Sequence, residues 1–170
     1  MYRKATTLIT NINAVFELLA KEYLSVKNIL MTIKDCETTT ITSPIVEKTL
    51  ELASSCSSKV QIIHVAPALR KPPFNVDSKI YHHEIANGHR HKDNCLQHLA
   101  KCMQDMGVDA KALLVHGSII STILHESERL VIDLAILGCH KHGLLYSALM
   151  DDTDEGLLAK CALPIMFVPD

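Results

Sequence analysis

The chain has 170 residues, a formal net charge of −2 and no strongly basic segment, which argues against nucleic acid as a partner. A hydrophobic fraction of 48% and a charged fraction of 21% exclude a disordered or fibrous protein, and the length suits one domain. Six cysteines without CxxC pairs predict reduced thiols and a cytoplasmic protein, and no apolar run approaches the roughly 18 residues of a membrane span.

Residues 1–26 are predicted to form an amphipathic helical extension that precedes the main domain. Apolar side chains recur there at helical spacing between residues 5 and 24. This pattern favours packing of the helix on its own domain or on a partner subunit. Contact with a membrane surface and a targeting role stay open, because no acidic residue precedes Glu17.

Short apolar runs and helical patterns then alternate over residues 27–170, the predicted main domain. Residues 28–33 and 60–65 predict the first two strands. Between them, a helix is predicted over about 44–56, since Ser43 has the type of an N-cap and proline follows at the first helical position. The segment from 67 to about 88 predicts a loop, because its beginning is rich in proline.

The second half of the chain continues the alternation. A helix with apolar residues at inward positions is predicted to end at Gly107, which has the type of a C-terminal cap. Residues 112–115 predict the third strand and a helix follows from Ser118 to about Leu130. The remaining elements are a strand, a helix and a strand, predicted over 132–137, about 152–161 and 164–168.

Strands that alternate with helices and are mostly continuous apolar runs predict a parallel, doubly wound α/β sheet with helices on both faces. In such sheets ligands bind beyond the carboxyl ends of the strands, at the switch in strand order. Those strand ends fall near Lys34, Val65, Gly117 and Gly138. The candidate site is therefore predicted at that edge of the sheet before any ligand is considered.

Several stretches in order resemble the universal stress protein family across roughly residues 27–169. They are the strand openings and endings Lys27–Leu30, Ile62–Val65, His116–Ile123, Asp133–His140 and Pro164–Val168. The resemblance implies a five-stranded parallel sheet in the order 3-2-1-4-5 and a homodimer formed through the last strand, Ile165 to Val168. It also implies a stress-response protein that acts without catalysis, through contacts with a protein partner that the sequence does not identify.

The ATP-binding members of that family carry Gly-x2-Gly-x9-Gly-Ser/Thr after the fourth strand and an aspartate after the first strand that holds the adenine. Gly138 matches the first glycine, but the later positions fall on Lys141 and on Asp151-Asp152. The aspartate position is occupied by Lys34, with Asp35 beside it. Asp152 followed by Glu155 has the form of a helix capping box, and its carboxylates would repel a triphosphate. These departures predict a degraded nucleotide site and no bound cofactor.

Two alternatives stay open. The first is a nucleotide-dependent switch that binds ATP or AMP with a rebuilt loop, and it would use the six residues Val65, Gly117, Gly138, Lys141, His142 and Gly143.

The second alternative is a zinc module in the histidine-rich region 82–98, with His89, His91, Cys95 and His98 as ligands. The spacing matches no recognised zinc motif, so solvated histidines beside a buried helix face are favoured and no metal site is predicted. No nucleophile-elbow pattern such as G-x-S-x-G occurs, so the chain is not predicted to be an enzyme.

Overall fold

Five parallel strands form one sheet in the computed structural model, which describes residues 26–34, 39–67, 78–139 and 162–169. The order β3-β2-β1-β4-β5 confirms the prediction. The strands are β1 (Asn28–Ile33), β2 (Lys59–Ala66), β3 (Ala110–His116), β4 (Leu134–Cys139) and β5 (Ile165–Pro169).

Three helices are described: α1 (Pro44–Cys56), α2 (Ser78–Asp105) and α3 (Ile119–Arg129). The predicted N-terminal helix and the predicted helix over 152–161 lie outside the described residues. None of the described helices combines the length and apolar character that a bilayer-spanning helix needs.

Helix α2 begins about ten residues earlier than the sequence suggested. The segment up to Gly88 was expected to be a loop, yet the helix starts at Ser78 and continues through Gly88. A Cβ added at Gly88 would meet nothing within 4 Å, so this glycine serves no close packing contact. Glycine inside a helix costs about 1 kcal/mol relative to alanine, a penalty that a helix packed along one face tolerates.

Ser43 and Ser118 are the N-cap residues of α1 and α3, as the sequence predicted. Ser43 and Ser118 have the extended backbone of an N-cap, but neither makes a side-chain cap hydrogen bond. The Ser43 hydroxyl instead accepts a hydrogen bond from the Thr40 N–H at 2.9 Å. The backbone conformation and, for α1, proline at the first position therefore mark these helix starts.

Gly107 ends α2 as predicted, with φ +88°. Its N–H donates to the Gln104 carbonyl at 2.8 Å, and the Val108 N–H donates to the Met103 carbonyl at 3.1 Å. This pair of bonds is a Schellman motif, and the buried Val108 and Met103 side chains supply its apolar contact. The chain is thereby directed from α2 into β3.

The core has two parts, one on each face of the sheet. Alternate side chains of β1 divide between them: Ile29 and Met31 pack with α1 and α2, whereas Leu30 packs with α3. This division follows from the two-residue period of a strand. Because both faces are covered, the central strands β1 and β4 are mostly apolar and buried, as predicted.

Asp133 connects the amino ends of β1 and β4. One of its carboxylate oxygens accepts hydrogen bonds from the N–H groups of Lys27 and Asn28 at 2.8 and 2.9 Å. The Asn28 side chain returns a bond to the Val131 carbonyl at 3.1 Å. Asp133, the first residue of the Asp133–His140 stretch, therefore has a structural role. It lies at the end of the sheet opposite to the candidate site.

Helix α2 lies along the β3 edge of the sheet. On β3, the side-chain amides of Gln97 and Gln104 donate to the carbonyls of Ala112 and Ala110, at 3.3 and 2.7 Å. Alternate residues of a strand direct their backbone groups to opposite sides, and the Asp109 carbonyl accepts a hydrogen bond from the Val60 N–H of β2. The carbonyls of Ala110 and Ala112 therefore point away from β2. Helix α2 therefore covers the β3 edge. Such coverage prevents an exposed edge strand from pairing with another chain.

Glu126 on α3 is a nearly buried carboxylate. It accepts hydrogen bonds from Arg129, whose Nε lies 2.7 Å away, and contacts His125 Nδ1 at 3.2 Å. The hydrogen bond from Arg129 holds the pKa of Glu126 below its usual 4.5, against the opposing effect of burial. Since the folded-state pKa is depressed, this group stabilises the fold above the unfolded pKa, and that contribution is lost as pH falls through the folded pKa.

Glu126→Gln is expected to destabilise the protein by about 1 kcal/mol near neutral pH, because the charge-assisted bond is lost and the half-exposed Arg129 is screened by solvent. The difference from the wild type should shrink as pH falls below 4.5 and through the depressed pKa of Glu126, because the wild-type carboxyl then becomes protonated. Urea unfolding at several pH values measures it. A difference independent of pH would contradict the assignment.

Candidate functional site

The switch in strand order lies between β1 and β4. From β1 the chain builds β2 and β3 on one side and then crosses to β4 and β5 on the other. The carboxyl ends of β1 and β4 therefore border the crevice where doubly wound sheets bind ligands. Lys34 follows β1 directly and is exposed, and Gly138 lies near the end of β4, paired with Val168 of β5.

Val65 and Gly117 lie on the other side of β1. Val65 is paired with Val115 of β3, and the Gly117 N–H donates to the Ala66 carbonyl at 3.0 Å. Gly117 has φ +156°, and a Cβ there would lie 3.1 Å from the Thr122 hydroxyl. A glycine is therefore required where β3 turns into α3.

The sheet thus positions three of the six predicted site residues, Val65, Gly117 and Gly138, at its carboxyl edge. The other three, Lys141, His142 and Gly143, lie outside the described residues, and so do residues 151 and 152.

Two buried polar side chains near the crevice were not predicted as site residues. Thr32 is buried near the end of β1, and its hydroxyl has no hydrogen-bond partner among the described residues. His64 is buried on β2, where its Nδ1 lies 3.2 Å from the Ile33 carbonyl, at the end of β1. A polar residue within an otherwise apolar strand was the available signal for both.

Two histidines pack together beside the carboxyl end of β3. The rings of His89 and His116 have centroids 4.3 Å apart, and His116 Nδ1 lies 3.2 Å from the Pro67 carbonyl. Desolvation holds the pKa of His89 below its usual 6.5, and the nearby His116 and Lys92 lower it further. The lowered pKa favours the neutral imidazole of His89.

The candidate zinc ligands separate into pairs. His91 Nε2 lies 3.9 Å from Cys95 Sγ, and His98 Nδ1 lies 3.8 Å from Cys102 Sγ, whereas His89 contacts His116 instead. Within the part of the chain that the structure describes, no three metal-ligating side chains are grouped closely enough to hold an ion. The four residues of the zinc alternative are therefore not brought together within the described part of one chain.

A doubly wound parallel sheet with a crevice at its β1–β4 switch defines a Rossmann-like α/β domain. The model of the universal stress protein family matches residues 26–169, and the chain belongs to that family. Comparison with the sequences of curated proteins gave no significant match.

Solved structures of universal stress proteins share the fold at low sequence identity. One from Burkholderia pseudomallei is 18% identical with a TM-score of 0.60, over 86% of this chain and 98% of that one. One from Archaeoglobus fulgidus, in complex with dAMP, is 10% identical with a TM-score of 0.55, over 83% and 96%. One from Arabidopsis thaliana, with AMP bound, is 15% identical with a TM-score of 0.51, over 84% and 91%.

Proposed function

We propose that this universal stress protein is a non-catalytic homodimer that acts through contacts with a protein partner and does not bind ATP. The observation that carries the proposal is Lys34, which is exposed directly after β1 at the crevice. In the family resemblance this position belongs to the aspartate that holds the adenine.

The exchange of aspartate for lysine reverses the hydrogen-bonding character of that position. An aspartate carboxylate accepts hydrogen bonds, including one from an exocyclic amino group such as that of adenine. A lysine ammonium only donates, so it cannot accept a bond from that amino group. Lys34 therefore removes the acceptor that would select adenine at this crevice.

The sequence after β4 supports the same conclusion for the phosphates. Phosphate cradles need backbone N–H groups at close approach, which small residues permit, and no competing anion. Lys141 and the Asp151-Asp152 pair stand where the family motif has its later glycines and hydroxyl residue. Two carboxylates at that position oppose a triphosphate by charge.

A thermal-shift measurement with about 1 mM ATP tests the proposal, and no change in Tm is expected. A ligand at a hundred times its Kd stabilises a protein by about 2.7 kcal/mol. For a chain of this size that corresponds to a rise of roughly 5–10 °C. A rise of several degrees with ATP, absent with inorganic phosphate alone, would overturn the proposal.

The dimer proposal rests on the contrast between the two sheet edges. The β3 edge is covered by Gln97 and Gln104, whereas the β5 edge is formed by the apolar sequence Ile165–Pro169. Pairing with the same strand of a second copy would remove that edge.

The second candidate is the nucleotide-dependent switch, favoured by one observation: Gly138, which matches the first glycine of the family's ATP motif, lies near the carboxyl end of β4 at the crevice. The Archaeoglobus and Arabidopsis relatives hold dAMP and AMP on this fold. If ATP or AMP raises the Tm, Lys141→Ala should abolish the rise, because Lys141 would supply the positive charge of the rebuilt loop.

A further inference from the structure

Four side chains of the types that bind zinc, two histidines and two cysteines, form one line along α2. This His–Cys stripe consists of His91, Cys95, His98 and Cys102, at spacings of four, three and four residues. At 3.6 residues per turn these positions fall within an arc of about 60°. The stripe is therefore a continuous surface feature on a rigid helix.

Within the stripe, each histidine is already close to the thiol one turn further on. The nitrogen–sulfur distances are 3.9 Å for His91 and Cys95 and 3.8 Å for His98 and Cys102. Zinc binds sulfur at about 2.3 Å and nitrogen at about 2.0–2.1 Å in tetrahedral geometry, which places two such ligands about 3.6 Å apart. Each pair is thus near the geometry of two corners of a zinc tetrahedron.

The stripe lies beside the buried face of α2. Its histidines are exposed and its cysteines are half-buried. By the helical periodicity, Gln97 and Gln104, which cover the β3 edge, are on the opposite flank of the helix. A second molecule can therefore approach the stripe without disturbing the sheet edge.

Neither pair can bind zinc fully alone, and the two cysteines cannot bridge each other. Zinc takes four ligands, and the described residues of one chain bring no third ligand to either pair. Cys95 and Cys102 are two turns apart, about 10 Å along the axis, which is too far for a disulfide. Each pair is therefore a half-site.

We propose that the His–Cys stripe binds zinc between two copies of this chain, with two zinc ions per pair of copies. In an antiparallel two-fold arrangement, His91 and Cys95 of each copy meet His98 and Cys102 of the other, which completes two His₂Cys₂ sites. Each zinc converts two thiols to thiolates, and the two protons pass to water. This interface lies on α2 and is separate from the β5 edge, so the proposal is independent of the nucleotide site and of the strand-mediated dimer.

Cobalt(II) and zinc titrations of the full chain test the inference. We expect one metal ion per chain, a thiolate-to-cobalt charge-transfer band, and a doubling of the native mass that a chelator reverses. Cys95→Ser/Cys102→Ser should lose the band and the doubling. His98→Asn, which removes one ligand from each site but no thiolate, should bind the metal more weakly and lose the doubling. Cys56→Ser on α1 and His89→Asn, which change a thiol and an imidazole outside the stripe, should retain both.

Three results would overturn the inference. The first is no thiolate band with the wild type. The second is equal metal uptake by the Cys95→Ser/Cys102→Ser and His98→Asn variants, and the third is one metal ion per chain with no increase in mass. The His98→Asn variant keeps the test decisive if the double cysteine variant does not fold, because His98 is exposed.

Discussion

Phe167→Pro is expected to convert the proposed homodimer into single chains while β5 stays paired with β4. The Ala135 N–H donates to the Pro164 carbonyl at 3.0 Å, and Ala135 is in register with Ile165. In a parallel pair of strands, this register directs the N–H and C=O groups of residues 164, 166 and 168 toward β4. The N–H of Phe167 therefore points away from β4, where a neighbouring strand could accept it.

Proline at position 167 removes that outward donor and places its ring in the path of a pairing strand, without breaking a bond to β4. The substitution also removes the Phe167 side chain, which packs on the α3 side of the core. Phe167→Ala is the matched control, because it loses the same side chain and keeps the N–H. Native mass measured with a chelator present, so that α2 holds no metal, should show one chain for Phe167→Pro and two for Phe167→Ala and the wild type.

A dimer that survives Phe167→Pro would contradict pairing through β5. The loss of the dimer in both variants would instead assign the interface to the aromatic side chain and not to the backbone of the strand. Circular dichroism of both variants verifies that the sheet is intact.

The second large effect is expected from Ile136→Ala, in the strand that carries Gly138 to the crevice. Ile136 is fully buried, and it is in register with Met31 of β1 and Met166 of β5. The three side chains belong to the same core cluster, on the α1 and α2 side. Truncation to alanine would leave a cavity between three strands.

Such truncations of isoleucine cost about 2–5 kcal/mol, against about 0.5–1.5 kcal/mol for Ile→Val. We therefore expect Ile136→Ala to lower the free energy of unfolding by about 2–5 kcal/mol and the matched Ile136→Val by about 1 kcal/mol. Urea unfolding measures both. A loss below about 1 kcal/mol for the alanine variant would mean that neighbouring side chains collapse into the cavity.

The elements could largely be predicted because each has a local physical cause. Continuous apolar runs such as Ile62-Ile63 suit only strands covered on both faces, and Gly107 adopts a positive φ that few other residues tolerate. The start of α2 was wrong for the converse reason. Gly88 has a low intrinsic helix propensity, but the burial of Leu96, Leu99 and Met103 further along outweighs it.

The candidate site was predictable only as far as strand ends mark it. Lys34, Val65 and Gly138 follow or end apolar strands, so their arrival at one edge of the sheet follows from parallel topology. The ring contact of His89 with His116 was not predictable, because these residues are on different elements and nothing in the local pattern relates them. The division of the histidines and cysteines of α2 into two pairs likewise required the helix to extend through all four of them.

By itself the sequence determined the alternation of strands and helices, the family resemblance and the lysine that replaces the adenine-holding aspartate, since each depends on residues close together in the chain. The tertiary structure alone decided which sheet edge is covered. Gln97 and Gln104 are unremarkable polar residues in the sequence, and their bonds to Ala112 and Ala110 exist only because α2 packs along β3. Protection of a sheet edge depends on contacts between elements that are distant in the sequence. Such contacts form only on folding and leave no local pattern in the sequence.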